Sequence, residues 1–253
     1  MQSRAQSNPW ILRSRTHQDP AVRLLYFPPG GAGASFAGVW RDQIPPTVDL
    51  CAIQLPARET RLKEPPIAVW HDLMDALVPA LAPELDLPFA LFGYSLGALV
   101  AFEFARALRR TGNPRPSHLF VAARPAPQLP IMGSRVAHLP DHQLLDTLRR
   151  AGMFPDAVAD DRAFLEMAIP TWRMDLSLNE GYRYRAEPPF EFPISAFGGL
   201  SDPMVGRHVL TPWETHTANR FEVHMLPGGH MLPPESQTAL MKLILKGMEP
   251  QDN

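Results

Sequence analysis

Between residues 88 and 110 the chain passes directly from a short apolar segment through Gly93-Tyr94-Ser95-Leu96-Gly97 into an amphipathic helical pattern. No other feature constrains the fold so tightly. A strand must stop and a helix must start within one turn, so the two elements lie almost against each other. Glycines on either side, lacking a Cβ, permit that approach. The residue between them is a serine, whose hydroxyl on such a turn stands clear above the strand end. There it meets a helix N-terminus, where unpaired N–H groups favour developing negative charge. In this context the G-x-S-x-G spacing marks Ser95 as a candidate nucleophile.

The rest of the chain supplies a sheet for that junction. Strand-length apolar runs recur at 22–27, 48–54, 89–92, 118–123, 194–197 and 221–226. Helical spacing fills several gaps, at 69–81 and again at 96–110, where Gly112 follows as a stop. Near-continuous apolar strands alternating with helices predict an α/β fold with a mainly parallel sheet covered on both faces. Residues from about 129 to 189 break the alternation: they hold helical patterns at 141–151 and 161–169 but no convincing strand, which predicts a helical insertion lying over the sheet as a lid. Among the twenty-nine prolines are the pairs 28–29, 45–46, 65–66, 188–189 and 233–234, each of which is expected to end a regular element. At 253 residues the whole, 1–253, suits a single domain.

Composition excludes several classes. A net charge of −2 lacks the basic footprint of a nucleic-acid-binding protein. Cys51, the sole cysteine, forbids an intrachain disulfide and sits in an apolar run that predicts an inert buried thiol. The N-terminal residues do not read as a signal peptide, and no segment reaches the roughly 20 apolar residues of a membrane span. A cytoplasmic location without membrane association, and a monomer, are the expectations.

A serine hydroxyl needs a base, and the base needs a carboxylate to orient it. Asp202, in Gly198-Gly199-Leu200-Ser201-Asp202-Pro203, leaves the end of one apolar run; Asp161 and Asp175 fall in the helical insertion, where solvated or capping roles are expected. His230 follows the last apolar run, in Pro227-Gly228-Gly229-His230. His208 and His216 come late enough to compete but suit surface roles, and His224 lies within a strand. The order serine, acid, histidine thus selects Ser95, Asp202 and His230. A glycine turn, Pro28-Pro29-Gly30-Gly31-Ala32-Gly33, follows the first long run without the spacing of a nucleotide-binding loop. It predicts an oxyanion hole, made by the N–H of Leu96 and one from Gly30 or Gly31; Pro29 has no N–H to give.

Together these segments, with Gln54-Leu55-Pro56-Ala57-Arg58-Glu59, Leu139-Pro140-Asp141 and Tyr182-Arg183-Tyr184, resemble the type II thioesterases of nonribosomal peptide and polyketide pathways, over almost the whole chain. The resemblance implies an α/β-hydrolase fold and hydrolysis of acyl groups from the phosphopantetheine arm of acyl or peptidyl carrier proteins, removing stalled or misprimed groups. It implies no metal and no soluble cofactor, since the pantetheine belongs to the substrate. Tyr94 and Pro29 depart from the family pattern beside the serine, which makes them candidates for acyl preference. Met153, Phe154 and Met174 are candidate walls of the acyl chamber. Arg58 and Glu59 read as a local ionic network. A general carboxylesterase or lipase shares the same three residues, a product-releasing thioesterase is a further alternative, and a non-catalytic module on the same fold stays a third.

Overall fold

The computed structural model describes residues 8–13, 19–130, 135–153 and 161–249. Seven strands form one sheet: β1 (Ile11–Arg13), β2 (Val22–Phe27), β3 (Val48–Ile53), β4 (Phe89–Tyr94), β5 (Leu119–Ala122), β6 (Ile194–Gly199) and β7 (Phe221–Leu226). Their order is β1-β3-β2-β4-β5-β6-β7, parallel except where β1 runs antiparallel to β3 with Ile11 opposite Ile53. Helices α1 (Trp70–Leu81), α2 (Leu96–Arg110), α3 (Asp141–Arg150), α4 (Arg162–Gly181), the short α5 (Arg207–Leu210) and α6 (Pro234–Met248) complete the fold.

The two-residue period of the strands builds two separate cores. Leu25, Phe27, Cys51, Ile53, Leu91 and Val121 point to one face, where α1 and α2 cover them. Leu24, Tyr26, Leu50, Ala52, Phe92 and Phe120 point to the other, under α6 and the short 3-10 helix Ala34–Trp40. Each fully buried leucine contributes about 1.5–3 kcal/mol, so apolar residues on both faces of β3, β4 and β5 hold these strands in the middle of the sheet. Cys51 is buried there, and burial, then the neighbouring Asp49 charge, push its thiol well above the ordinary range, as befits an inert core residue.

The helical pattern expected at 161–169 extends further, since α4 runs on through Pro170 to Gly181. The proline is exposed, on the outer side where a lost backbone bond is met by solvent, while Thr171, Asp175 and Leu178 bury the inner side. The pair Pro233-Pro234 opens α6 rather than ending an element, because the first helical position needs no N–H. Between β5 and β6 the described residues hold α3 and α4. Among the described residues no helix is long and apolar enough to cross a membrane.

Candidate active site

The end of β4 and the start of α2 make the turn that carries Ser95. Its backbone sits at φ 53°, ψ −116°, a region that L residues avoid. A Cβ at Gly93 would collide with the backbone of Gly97 and Ala98, and one at Gly97 with the carbonyls of Phe27 and Pro28. Both glycines are therefore demanded by contact. The Ser95 N–H donates to Ala122 O at 2.8 Å, pinning the turn to β5.

Two loops bring the partners from β6 and β7. A Cβ at Gly199 would strike the carbonyls of Gly228 and Gly229, so the acid and histidine loops lie against each other. Ser201 N–H donating to Gly228 O at 2.8 Å fastens them. His230 Nδ1 is 2.9 Å from Asp202 Oδ2, and Ser95 Oγ is 3.0 Å from His230 Nε2. A carboxylate can only accept, so the proton sits on Nδ1 and leaves Nε2 free to take the serine proton. Asp202 Oδ1 accepts from the N–H groups of Met204 (2.9 Å) and Val205 (3.2 Å). Burial works to raise the Asp202 pKa, but the His230 hydrogen bond and charge and these two N–H groups outweigh it and hold it below the ordinary value. All three residues are buried. The structure brings together the three residues that the sequence singled out, in the arrangement that allows nucleophilic acyl transfer.

Tyr94 does not line the cavity beside Ser95. Its side chain turns to the opposite face of the sheet, where the hydroxyl donates to His230 O at 2.6 Å and accepts from Leu232 N–H at 3.2 Å. It holds the histidine loop. Pro29 is buried and accepts from Ala32 N–H at 3.1 Å, without lining the cavity. Among the competing histidines, His208 is exposed and His224 stacks on Phe197 within β7. His216 is buried, contrary to the surface role expected of it, and meets Gln128 Oε1 at 2.6 Å.

The glycine turn is organised by residues far from it in sequence. Asp175, expected to be solvated or a cap, is buried on α4 and forms a two-pronged ion pair with Arg58, both contacts at 2.9 Å. Its Oδ2 also accepts the N–H of Gly31 at 2.6 Å. That N–H is thus engaged, while Gly30, the other expected oxyanion donor in the turn, lines the recess beside Leu96 and Ser95. Gly31 has φ +78° and carries the Trp172 indole where a side chain would stand. The network around Gln54–Glu59 is therefore not local. Gln54 Oε1 accepts from Ala34 N–H at 2.6 Å and its amide donates to Arg58 O at 2.8 Å, while Glu59 accepts from the N–H and hydroxyl of Ser35. This segment clamps the glycine turn to α4.

A cavity of about 470 Å³ opens from Ser95 and His230, walled by Leu139, Leu148, Met153 and Leu176 among others. A smaller recess of about 60 Å³ joins Ser95 to Gly30, Leu96 and Trp172. Met153 borders both; Met174 borders neither, because Asp175, Leu176 and Asn179 are the α4 residues that face these cavities. Phe154 lies outside the described residues. A groove of about 790 Å³ between α1, α2 and residues 181–187 contains no residue of the triad.

A thioesterase domain model matches residues 22–247. Over 242 residues the chain is 35% identical to gramicidin S biosynthesis protein GrsT of Aneurinibacillus migulanus, spanning 96% of this chain and 94% of that one. It is 32% identical to thioesterase PikA5 of Streptomyces venezuelae, spanning 87% and 79%. The type II thioesterase BorB from the borrelidin biosynthetic cluster superposes with a TM-score of 0.87 at 34% identity, over 95% of this chain and 98% of that one. RedJ, a thioesterase from the prodiginine pathway of Streptomyces coelicolor, gives 0.83 at 32% identity, over 90% and 87%. The chain belongs to the thioesterase family, as a type II thioesterase of α/β-hydrolase fold that hydrolyses thioester bonds.

Proposed function

We propose that this enzyme cleaves acyl groups from the phosphopantetheine arm of carrier proteins in nonribosomal peptide or polyketide assembly, clearing misprimed or stalled chains, through an acyl-serine intermediate. The observation that carries the reading is the hydrogen-bonded series Ser95, His230, Asp202 at the mouth of a cavity of about 470 Å³. The pathways named in GrsT, BorB and RedJ support the carrier-protein substrate. The site lies within a single domain and works in the cytoplasm, with α3 and α4 of the inserted segment serving as a lid over the acyl chamber.

In the first half-reaction Ser95 Oγ gives its proton to His230 Nε2 and bonds to the thioester carbon. The carbonyl oxygen takes the displaced electron pair and rests on the N–H groups of Leu96 and Gly30, with the α2 N-terminus behind them. Collapse expels the pantetheine sulfur, which takes the proton from Nε2. A thiol of pKa about 8.5 is a good leaving group, so little help is needed. In the second half His230 removes a proton from water, the resulting hydroxide attacks the acyl-serine, and Ser95 Oγ recovers its proton as the acid departs. Asp202 stays a carboxylate throughout and stabilises the imidazolium.

Replacement Ser95→Ala is expected to lower hydrolysis of acyl-carrier protein by about 10⁴-fold or more, with an unchanged circular dichroism spectrum and melting curve. Substantial turnover by that variant would refute the assignment. Faster hydrolysis of simple oxygen esters than of matched acyl-carrier thioesters by the native enzyme would instead favour a general esterase.

A further inference from the structure

Arg124 stands at the carboxyl end of β5, where it borders both the 470 Å³ cavity and the recess beside Ser95. Among the described residues no carboxylate pairs with this cation. Its guanidinium donates through Nη1 to Asn179 Oδ1 at 2.6 Å, while Nε is buried with no acceptor. The carboxylates nearest in the chamber wall are otherwise engaged: Asp175 by Arg58 and Gly31, Glu180 by the N–H groups of Val136 (2.6 Å) and Ala137 (3.0 Å). Burial pulls the Arg124 pKa down to about 10, against a raising effect from Tyr182, so the group is still charged at neutral pH. Because arginine can only donate, Asn179 must present its oxygen to it, which leaves the Asn179 NH₂ as a further donor. A chamber built only for alkyl chains gains nothing from a desolvated cation and an unanswered N–H, which are costly unless something accepts from them.

We propose that Arg124, oriented by Asn179, is a specificity-determining residue of the acyl chamber, and that the enzyme favours acyl groups bearing an oxygen acceptor near the thioester carbon over plain alkanoyl groups. The inference rests on reading Ser95 as the nucleophile and the adjoining cavity as the acyl chamber. The acceptor can be a keto oxygen or a carboxylate, since both present lone pairs to a guanidinium. Its place is close to the thioester, because Arg124 and Ser95 share the walls of a recess of only about 60 Å³.

The test uses N-acetylcysteamine thioesters of one chain length: a straight-chain acyl group, its β-keto analogue and its α-carboxyl analogue, so that both oxygen acceptors lie close to the thioester carbon. The native enzyme, Arg124→Met and Arg124→Lys are compared by kcat/KM, with melting curves to confirm folding. The native enzyme is expected to favour one or both oxygen-bearing substrates by about 10- to 100-fold. Arg124→Met loses that advantage while hydrolysing the straight chain within about threefold of native, and Arg124→Lys keeps part of it. A gain for the carboxylate alone makes the subsite an anion site; a gain for both makes it a general acceptor site. Equal loss on all three substrates in both variants would mean a structural arginine, and native rates equal across the panel would also end the proposal. Should Arg124→Met not fold, the native ratios and Arg124→Lys decide. A native enzyme inert toward all three, like Ser95→Ala, would bring down the underlying reading instead, which is a separate result.

Discussion

Ser95 occupies a backbone conformation that costs about 1–3 kcal/mol, and its neighbours show how that strain is held. Tyr94, just before it, reaches through the sheet to grip both ends of the histidine loop, at His230 O and Leu232 N–H. Nucleophile turn and base are thereby joined by one phenol as well as by the catalytic hydrogen bond. Tyr94→Phe is expected to lower stability by about 1–2 kcal/mol and kcat by about tenfold with KM nearly unchanged, because small misplacements of a base are expensive. Denaturant titration and steady-state kinetics check both; an unaltered kcat would assign the hydroxyl to folding alone. Ser95, Asp202 and His230 were legible in the sequence because each follows an apolar run and sits among glycines that local geometry demands. The job of Tyr94 was not. Its two partners are backbone atoms more than 130 residues away, which no spacing encodes.

At the level of elements, α4 and the glycine turn behave as one piece. The Arg58–Asp175 pair is buried, and Asp175 also fixes the Gly31 N–H beside Gly30, the proposed oxyanion donor. Removing either partner leaves the other as a buried unpaired charge, which typically costs about 3–5 kcal/mol. Asp175→Leu and Arg58→Met singly are therefore expected to destabilise strongly. Combined, they should recover much of the stability but not kcat, because Gly31 stays untethered. Urea midpoints and turnover of the double variant distinguish the two contributions; full recovery of both would make the pair purely structural. The long runs β2, β3 and β7 and helix α2 were readable from periodicity alone. Strand β1 was not, since the three residues Ile11–Arg13 owe their form to pairing with β3. Helix α4 extends past the pattern at 161–169 because its later turns are held by distant partners, Arg58 on Asp175 and the Trp70 indole N–H on Leu178 O, which no local spacing encodes.

Across the whole molecule, two buried histidines couple stability to acid. His118 stacks on Phe120 with ring centroids 3.9 Å apart, and burial, with the Arg220 charge, lowers its pKa to about 4. His216 is lowered to about 4 by burial and then by Arg106. Unfolded histidines titrate near 6.5, so between about pH 6.5 and 4 the unfolded chain binds more protons than the native one. Stability is then complete above about pH 6.5 and falls on acidification through that window, by at most about 1.4 kcal/mol per pH unit for each histidine. Below it, the depressed Asp202 carboxyl adds a further loss in the same direction. Denaturation midpoints measured across this range should show the slope, and His118→Phe should roughly halve it; a flat profile would contradict the burial of both rings. The sheet order has a last consequence. The proposed nucleophile directly follows the central strand β4, whereas its proposed base lies 135 residues further on, beyond the edge strand β7. A growing polypeptide that has not yet emerged past residue 230 carries the serine and its strained turn but nothing to deprotonate it. On the proposed mechanism, hydrolytic competence therefore waits until β6 and β7 have joined the sheet and carried their loops to a serine already on its turn.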